Sequence, residues 1–470
     1  YSSSIHGKGL LSSGLLVTAT CTSCHTAHLT LSASDPESSV SPQNLPETCG
    51  RCHSGVEEVF AKSVHSPGMT QTDKPLPVCS SCHTSHSISR TDEEQFKQDI
   101  LLTCGKCHEE VSKTYFDTYH GKVSRLGSGV AAKCHDCHGA HDILSVADPH
   151  SSLSRDNIVA TCGKCHPGSH RRFAGYLTHA THHDPRKYPA LFFAFWGMTG
   201  LLVGTFAFFG LHTIAWFPRS FREMMRKRET LGKTEQRMFR RFDPIVRQMH
   251  FVLILSFFGL ALTGMTLKFS YMQWAVLLSD AMGGFRATGT IHRVCAVIMI
   301  IDFIIHLGVV IHRKRESGTS WKEMLLGQSS LIPNMTDLRE FGQTIKWLFR
   351  LGPRPQYGEW TYWEKFDYFA VFWGVAIIGS TGFILWFPEL CTRVLPGWII
   401  NVATIVHSDE ALLAVGFIFT IHFFNTHFRP EKFPMDMAMF TGLIPEDELK
   451  HEKPRYYERL VADGSLEKRL

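Results

Sequence analysis

The sequence predicts a mostly α-helical protein in two parts: a polar N-terminal region of repeats with little regular structure, and a membrane bundle of five transmembrane helices. Three observations predict it. The unit Cys-x-x-Cys-His occurs six times before residue 188 and never after it. From Leu191 onward, apolar runs rich in Phe, Ile, Leu and Trp alternate with basic loops. Mean hydropathy near zero therefore averages two unlike halves. The divisions expected are 1–188, a membrane domain 189–428 (first helix 189–217, then a four-helix bundle 248–428) and a tail 429–470. A net charge of only +5 on 470 residues does not suggest a polyanion, and no nucleic-acid partner is expected. The chain opens at Tyr1 without a Met or a signal-like run, so either a removed targeting segment or a longer precursor is expected.

The first 188 residues hold twelve of the fourteen cysteines. The six units are Cys21 and Cys24 with His25, Cys49 and Cys52 with His53, Cys79 and Cys82 with His83, Cys104 and Cys107 with His108, Cys134 and Cys137 with His138, and Cys162 and Cys165 with His166. Two thiols three positions apart can form thioethers to the two vinyl groups of one haem, and the adjacent imidazole then reaches the iron. Zinc takes four ligands from paired knuckles, and disulfides need no histidine after each pair. Six covalent c-type haems are the expectation, with His25, His53, His83, His108, His138 and His166 as proximal ligands.

The units form a repeat. Cys-x-x-Cys-His-x-x-His starts at 21, 79 and 134; Cys-Gly-x-Cys-His starts at 49, 104 and 162. The spacer "SDPESSVSPQNLPETCGRCH" (34–53) aligns with "ADPHSSLSRDNIVATCGKCH" (147–166). So little apolar sequence separates the units that stacked porphyrins must supply much of the interior. Six histidines recur in phase as distal ligands: His28, His86 and His141 after the first type, and His65, His120 and His179 after the second. His6, in "SIHG", resembles the "SVHS" and "TYHG" sites; by phase it implies a further unit upstream of Tyr1. His150, His170, His182 and His183 fall out of phase.

Five segments are long and apolar enough to span a bilayer: 189–217, 248–268, 290–312, 366–387 and 398–428. The stretches 218–247 and 312–365 carry ten and nine Lys/Arg, against one each in 269–289 and 388–397. The positive-inside rule places the basic loops and the C-terminus in the cytoplasm and the cysteine-rich region in the periplasm of a bacterial inner membrane. Histidines within spans are costly and mark function. His292 and His306 lie 14 apart in span three, and His407 and His422 lie 15 apart in span five. Fourteen residues rise about 21 Å and return to nearly the same helix face. Matched depth pairs His292 with His407 and His306 with His422, as ligands of two haems b. His250, at the start of span two, is the alternative to His306, or belongs to a third haem b or a quinone site. His212 ends span one and caps the membrane surface. Proton or quinone candidates are Asp302 within span three, Glu389 in "WFPEL", and Asp409 with Glu410 in "HSDE". Cys295 and Cys391 lack any motif and are structural.

Spans two to five resemble the four-helix membrane cytochrome b subunits of formate dehydrogenases and nickel hydrogenases, through "RQMHFVLILSFFGLALTG", "IHRVCAVIM", "HSDEALLAV" and "IHFF". That resemblance implies His250, His292, His407 and His422 as ligands. The 14/15 spacing is instead similar to the quinol-oxidising cytochrome b/b6 family, which implies His306. The order of c-type units followed by this b domain resembles the fused c/b cytochromes of dissimilatory metal-reducing bacteria. It implies an inner-membrane oxidoreductase taking electrons from menaquinol through haems b to six periplasmic haems c, and on to periplasmic or outer-membrane multihaem cytochromes. A quinone reductase running in reverse, and an electron-transfer subunit of a larger respiratory complex without its own quinone site, are the alternative readings.

Overall fold

A computed structural model describes residues 1–230 and 237–470, so part of the basic stretch 218–247 lies outside the described residues. The chain is mostly helical and divides into two compact units. The first comprises Tyr1–Thr181, Phe269–Phe285 and Phe387–Ile399; the second comprises the remainder. The loops 269–289 and 388–397, assigned by sequence to the membrane domain, thus fold largely with the polar region.

In the first unit, each motif of the first type is a one-turn helix: Cys21–His25, Cys79–His83 and Cys134–His138. The third residue caps the turn. Ser23, Ser81 and Asp136 accept the backbone N–H of Thr20, Val78 and Lys133 at 3.0, 3.1 and 2.7 Å. Each turn stops at a residue with positive φ (Thr26 and Thr84 at 64°, Gly139 at 82°), which the helix cannot continue. In the second type the helix runs into the motif from before it. Leu45–Gly50, Glu94–Cys107 and Ile158–Gly163 each carry the first cysteine of the pair, and Cys52, Cys107 and Cys165 close the turn. The two aligned spacers fold alike through side-chain bonds to backbone. Ser39 and Ser152 donate to the carbonyls of Cys24 and Cys137, both at 2.5 Å. Asn44 and Asn157 donate to Pro36 and Pro149 at 2.8 and 3.0 Å. Within residues 1–181 the buried apolar side chains are Leu101, Tyr115, Val123, Leu126 and Phe173. That is a small core for so long a stretch, as the composition predicts.

The second unit carries five helices long and apolar enough to cross a membrane: Pro189–Met225, Pro244–Lys268, Gly284–Ser317, Tyr362–Trp386 and Ile399–Phe428. No apolar side chain in the hydrophobic stretches of spans three and four is buried. Ile300, Ile301, Ile304 and Ile305 are all exposed, a surface suited to hydrocarbon and not to water. Between spans three and four, Met335–Leu348 forms an amphipathic helix opened by a capping box. In it, Asn334 accepts from Thr336 N–H, and Asp337 accepts back from Asn334 N–H.

Residues 429–470, read from sequence as a tail, fold as a cap. Met238–Arg240 pairs antiparallel with Leu443–Pro445, setting Phe239 opposite Ile444. Phe239, Ala438, Ile444, Leu449, Tyr456, Leu460 and Leu466 make one cluster. Beside it lies a buried charge network. Arg429 bonds Glu452 at 2.7 Å, Lys432 holds Asp436 at 3.0 Å and bonds Glu448, and Lys453 bonds Glu364 at 2.6 Å. Burial pushes the Glu452 carboxyl up, but Lys432 and Arg429 outweigh it and hold the group at about 2.

Candidate functional site

Each of the six histidines that follow a Cys-x-x-Cys pair faces one other imidazole. Ring centroids lie 6.1 Å apart for His25–His86, 6.0 Å for His83–His141 and 6.3 Å for His138–His179. They lie 6.3 Å apart for His53–His6 and His108–His65, and 6.1 Å for His166–His120. None of these pairs is in ring contact. With a metal–imidazole bond of about 2 Å and the centroid roughly 1 Å beyond the nitrogen, two imidazoles on opposite sides of one metal stand about 6 Å apart. The residues present therefore fit bis-imidazole ligation of a haem iron.

The pairs obey a rule that the spacing left open. A histidine of the first type takes the extra histidine of the next such motif, so His25 meets His86 and His83 meets His141. A histidine of the second type takes one from before the preceding first-type motif: His6, His65 or His120. His138, in the last first-type motif, takes His179. By this rule His28 serves none of the six motifs in residues 1–188. His28, expected among the distal set, is exposed, and among the described residues it faces none of the six. His6, whose phase implies a further unit upstream of Tyr1, faces His53.

Six of the paired imidazoles are biased toward the neutral form that binds metal. Burial first, and a neighbouring imidazole second, hold His6, His65, His83, His120, His138 and His179 below the usual histidine range. Such rings are neutral at physiological pH.

All twelve motif cysteines are free thiols, which a disulfide framework would not leave. Within each second-type motif the second cysteine, Cys52, Cys107 or Cys165, is exposed, while the first, Cys49, Cys104 or Cys162, is partly covered. Neighbouring motifs also adjoin in chain order. The thiols of Cys49 and Cys79 hydrogen-bond, as do those of Cys104 and Cys134. Cys24 lies in electrostatic range of Cys52, Cys82 of Cys104 and Cys107, and Cys137 of Cys162 and Cys165. Among the described residues, no three His, Cys, Asp or Glu side chains converge as the ligands of a bare metal ion do.

In the second unit His292 and His407 face each other at 6.3 Å. Their other nitrogens are fixed by partners behind them. His292 Nδ1 meets Thr263 Oγ1 at 2.8 Å, and that hydroxyl donates to the Gly259 carbonyl at 2.6 Å. His407 Nδ1 donates to the Ile378 carbonyl at 3.0 Å. Both Nε2 atoms are thereby left for a metal. Glycines admit the rings: a Cβ at Gly264 would stand 3.4 Å from His292 Cε1, and one at Gly382 only 3.1 Å from His407 Cε1.

At the other end, His422 Nδ1 meets Asp367 Oδ2 at 3.1 Å, again leaving Nε2. It sits on a π-helical stretch, Ile418–His422, a distortion frequent at functional sites. His250 lies in electrostatic range of His422. His306 spends its Nε2 on the Tyr368 hydroxyl at 2.8 Å. Of the two alternatives, His250 interacts electrostatically with His422, while His306 is engaged with Tyr368. His212 bonds the Tyr362 hydroxyl at 2.6 Å against Trp216.

The proton candidates fare unequally. Glu389 binds His166 Nδ1 at 2.7 Å, and Asp409 is paired with Lys268 at 2.6 Å, so both are committed. Asp302 is buried and makes no hydrogen bond among the described residues. Glu410 is buried with Oε2 unpartnered. Cys295 packs onto Gly259, where a Cβ would stand 2.4 Å from its sulfur. No family model matches the chain, and no curated protein matches it.

Proposed function

We propose that the protein is a membrane cytochrome that oxidises quinol, holding six haems c in its first unit and two haems b in its second. One observation carries the reading: seven imidazole pairs stand 6.0–6.3 Å apart, six of them beginning at a Cys-x-x-Cys-His motif. When bound, the haems supply one-electron transfer between quinol and other cytochromes.

The chain's own residues do the rest. The cysteine pairs would tether the haems and the imidazole pairs would each supply two ligands to an iron, which would leave the c haems no position for substrate and suit them to electron passage. Thr263, Ile378 and Asp367 orient His292, His407 and His422 from behind. His250 completes the second b site, in line with the formate dehydrogenase resemblance. Five crossings alternate, so the loops 269–285 and 387–399 emerge on the side of the N-terminal region, and the basic loops and tail on the other. The lysine and arginine bias makes that other side the cytoplasm of a bacterial inner membrane, and the first region periplasmic. Asp302 and Glu410 are the buried carboxylates left to accept quinol protons. The partners are then the quinone pool and periplasmic or outer-membrane multihaem cytochromes, with further respiratory subunits in the reading that makes this chain one part of a complex.

Menaquinol added to the purified protein tests this. Prompt haem reduction, blocked by a quinone-site inhibitor, is expected. Reduction by dithionite but never by menaquinol would leave an electron-transfer subunit without a quinone site.

A further inference from the structure

The second-type histidine His166 differs from its five siblings. Its Nδ1 meets a carboxylate, Glu389 Oε1, at 2.7 Å; no other histidine of a Cys-x-x-Cys-His motif has such a partner among the described residues. The contact is built and not incidental. His170 Nε2 bonds the Glu389 carbonyl at 3.0 Å, and Arg172 donates to the Arg393 carbonyl at 2.8 Å. Gly397 lies against the same segment so closely that a Cβ there would stand 2.3 Å from the Arg172 carbonyl. Phe173 covers the His166 ring at 5.0 Å. All these residues lie within the first unit.

The carboxylate belongs to 387–399, the short connection between spans four and five. The sixth motif is also the last before span one, with 23 residues from His166 to Pro189. The cysteines adjoin in chain order, so the sixth motif ends the row. A carboxylate that accepts the Nδ1–H of an iron-bound imidazole makes the ring a stronger donor, which favours ferric over ferrous iron. The haem so held has a lower potential than one whose histidine lacks that partner. Electrons move from low potential to high, so a low member at the membrane end of a row sends them outward.

We propose that Glu389 is a positioning residue for His166, and that the sixth c-type haem is the one that exchanges electrons with the membrane half. The proposal rests on the haem reading above. It predicts a direction, from His166 toward His25, as well as a residue.

Spectroelectrochemical titration of the purified holoprotein tests it, comparing the wild type with Glu389→Gln and Glu389→Asp. In Glu389→Gln one c-type midpoint potential is expected to rise while the other five and both b potentials hold. Glu389→Asp, which keeps the charge, should return that potential most of the way. Glu389→Gln with all c potentials unchanged, or with several moved equally, overturns the proposal. Should Glu389→Gln fail to assemble, a Glu389→Asp protein whose c potentials all match the wild type overturns it equally. A wild type with no covalent haem would instead sink the functional reading itself.

Discussion

His86 and His28 sit in the same string, three residues beyond a Cys-x-x-Cys-His motif, yet only His86 meets a proximal imidazole. Sequence phase picks out both, because phase reports which residues repeat and not which repeat each one reaches. The imidazoles pair between repeats, and that exchange leaves His28 facing none of the six motif histidines. His86→Ala is therefore expected to convert one low-spin c haem to high spin, seen by electron paramagnetic resonance, whereas His28→Ala leaves all six low-spin. A similar limit hid the choice at span five. The 14-residue spacing sets His306 on the face of His292, but the Tyr368 hydroxyl in span four takes its Nε2, and no periodicity within span three reports a partner in span four. His250→Ala is expected to lose one haem b, read from the α-band of the reduced protein; His306→Ala keeps both. Equal loss in the two variants would contradict the assignment.

Among the elements, the spans were legible because their signal is local. Twenty or more apolar residues dictate a membrane helix whatever surrounds them. All five appear, four of them longer than the apolar runs by up to eight residues at an end, where polar turns continue the helix. The cap was not legible. Its apolar residues Ile444, Leu449, Tyr456, Leu460 and Leu466 are spread among charges and bury only by meeting Phe239, some two hundred positions earlier. The strand that holds Phe239 is three residues long, too short to carry a period. Phe239 is fully buried, so Phe239→Ala is expected to cost about 3–5 kcal/mol of cap stability. Limited proteolysis of 443–470 in membranes reads this. Cleavage no faster than in the wild type would show that the cap does not depend on that cluster.

For the whole molecule, the proposed function has the two halves hold the same kind of group by opposite means. The first has few buried apolar side chains, and in this reading covalent tethers from twelve cysteines would supply the rest of its interior. The second has ample apolar helix and needs only imidazoles, each braced from behind by a hydroxyl, a carbonyl or a carboxylate. The central claim is that both halves bind iron porphyrin, six tethered and two merely ligated. Acid–acetone extraction followed by the pyridine haemochrome spectrum of each fraction measures this most directly. Three c-type haems retained on protein for every b-type haem extracted is the result predicted. A preparation that releases all of its porphyrin, or none, or that contains none, contradicts it.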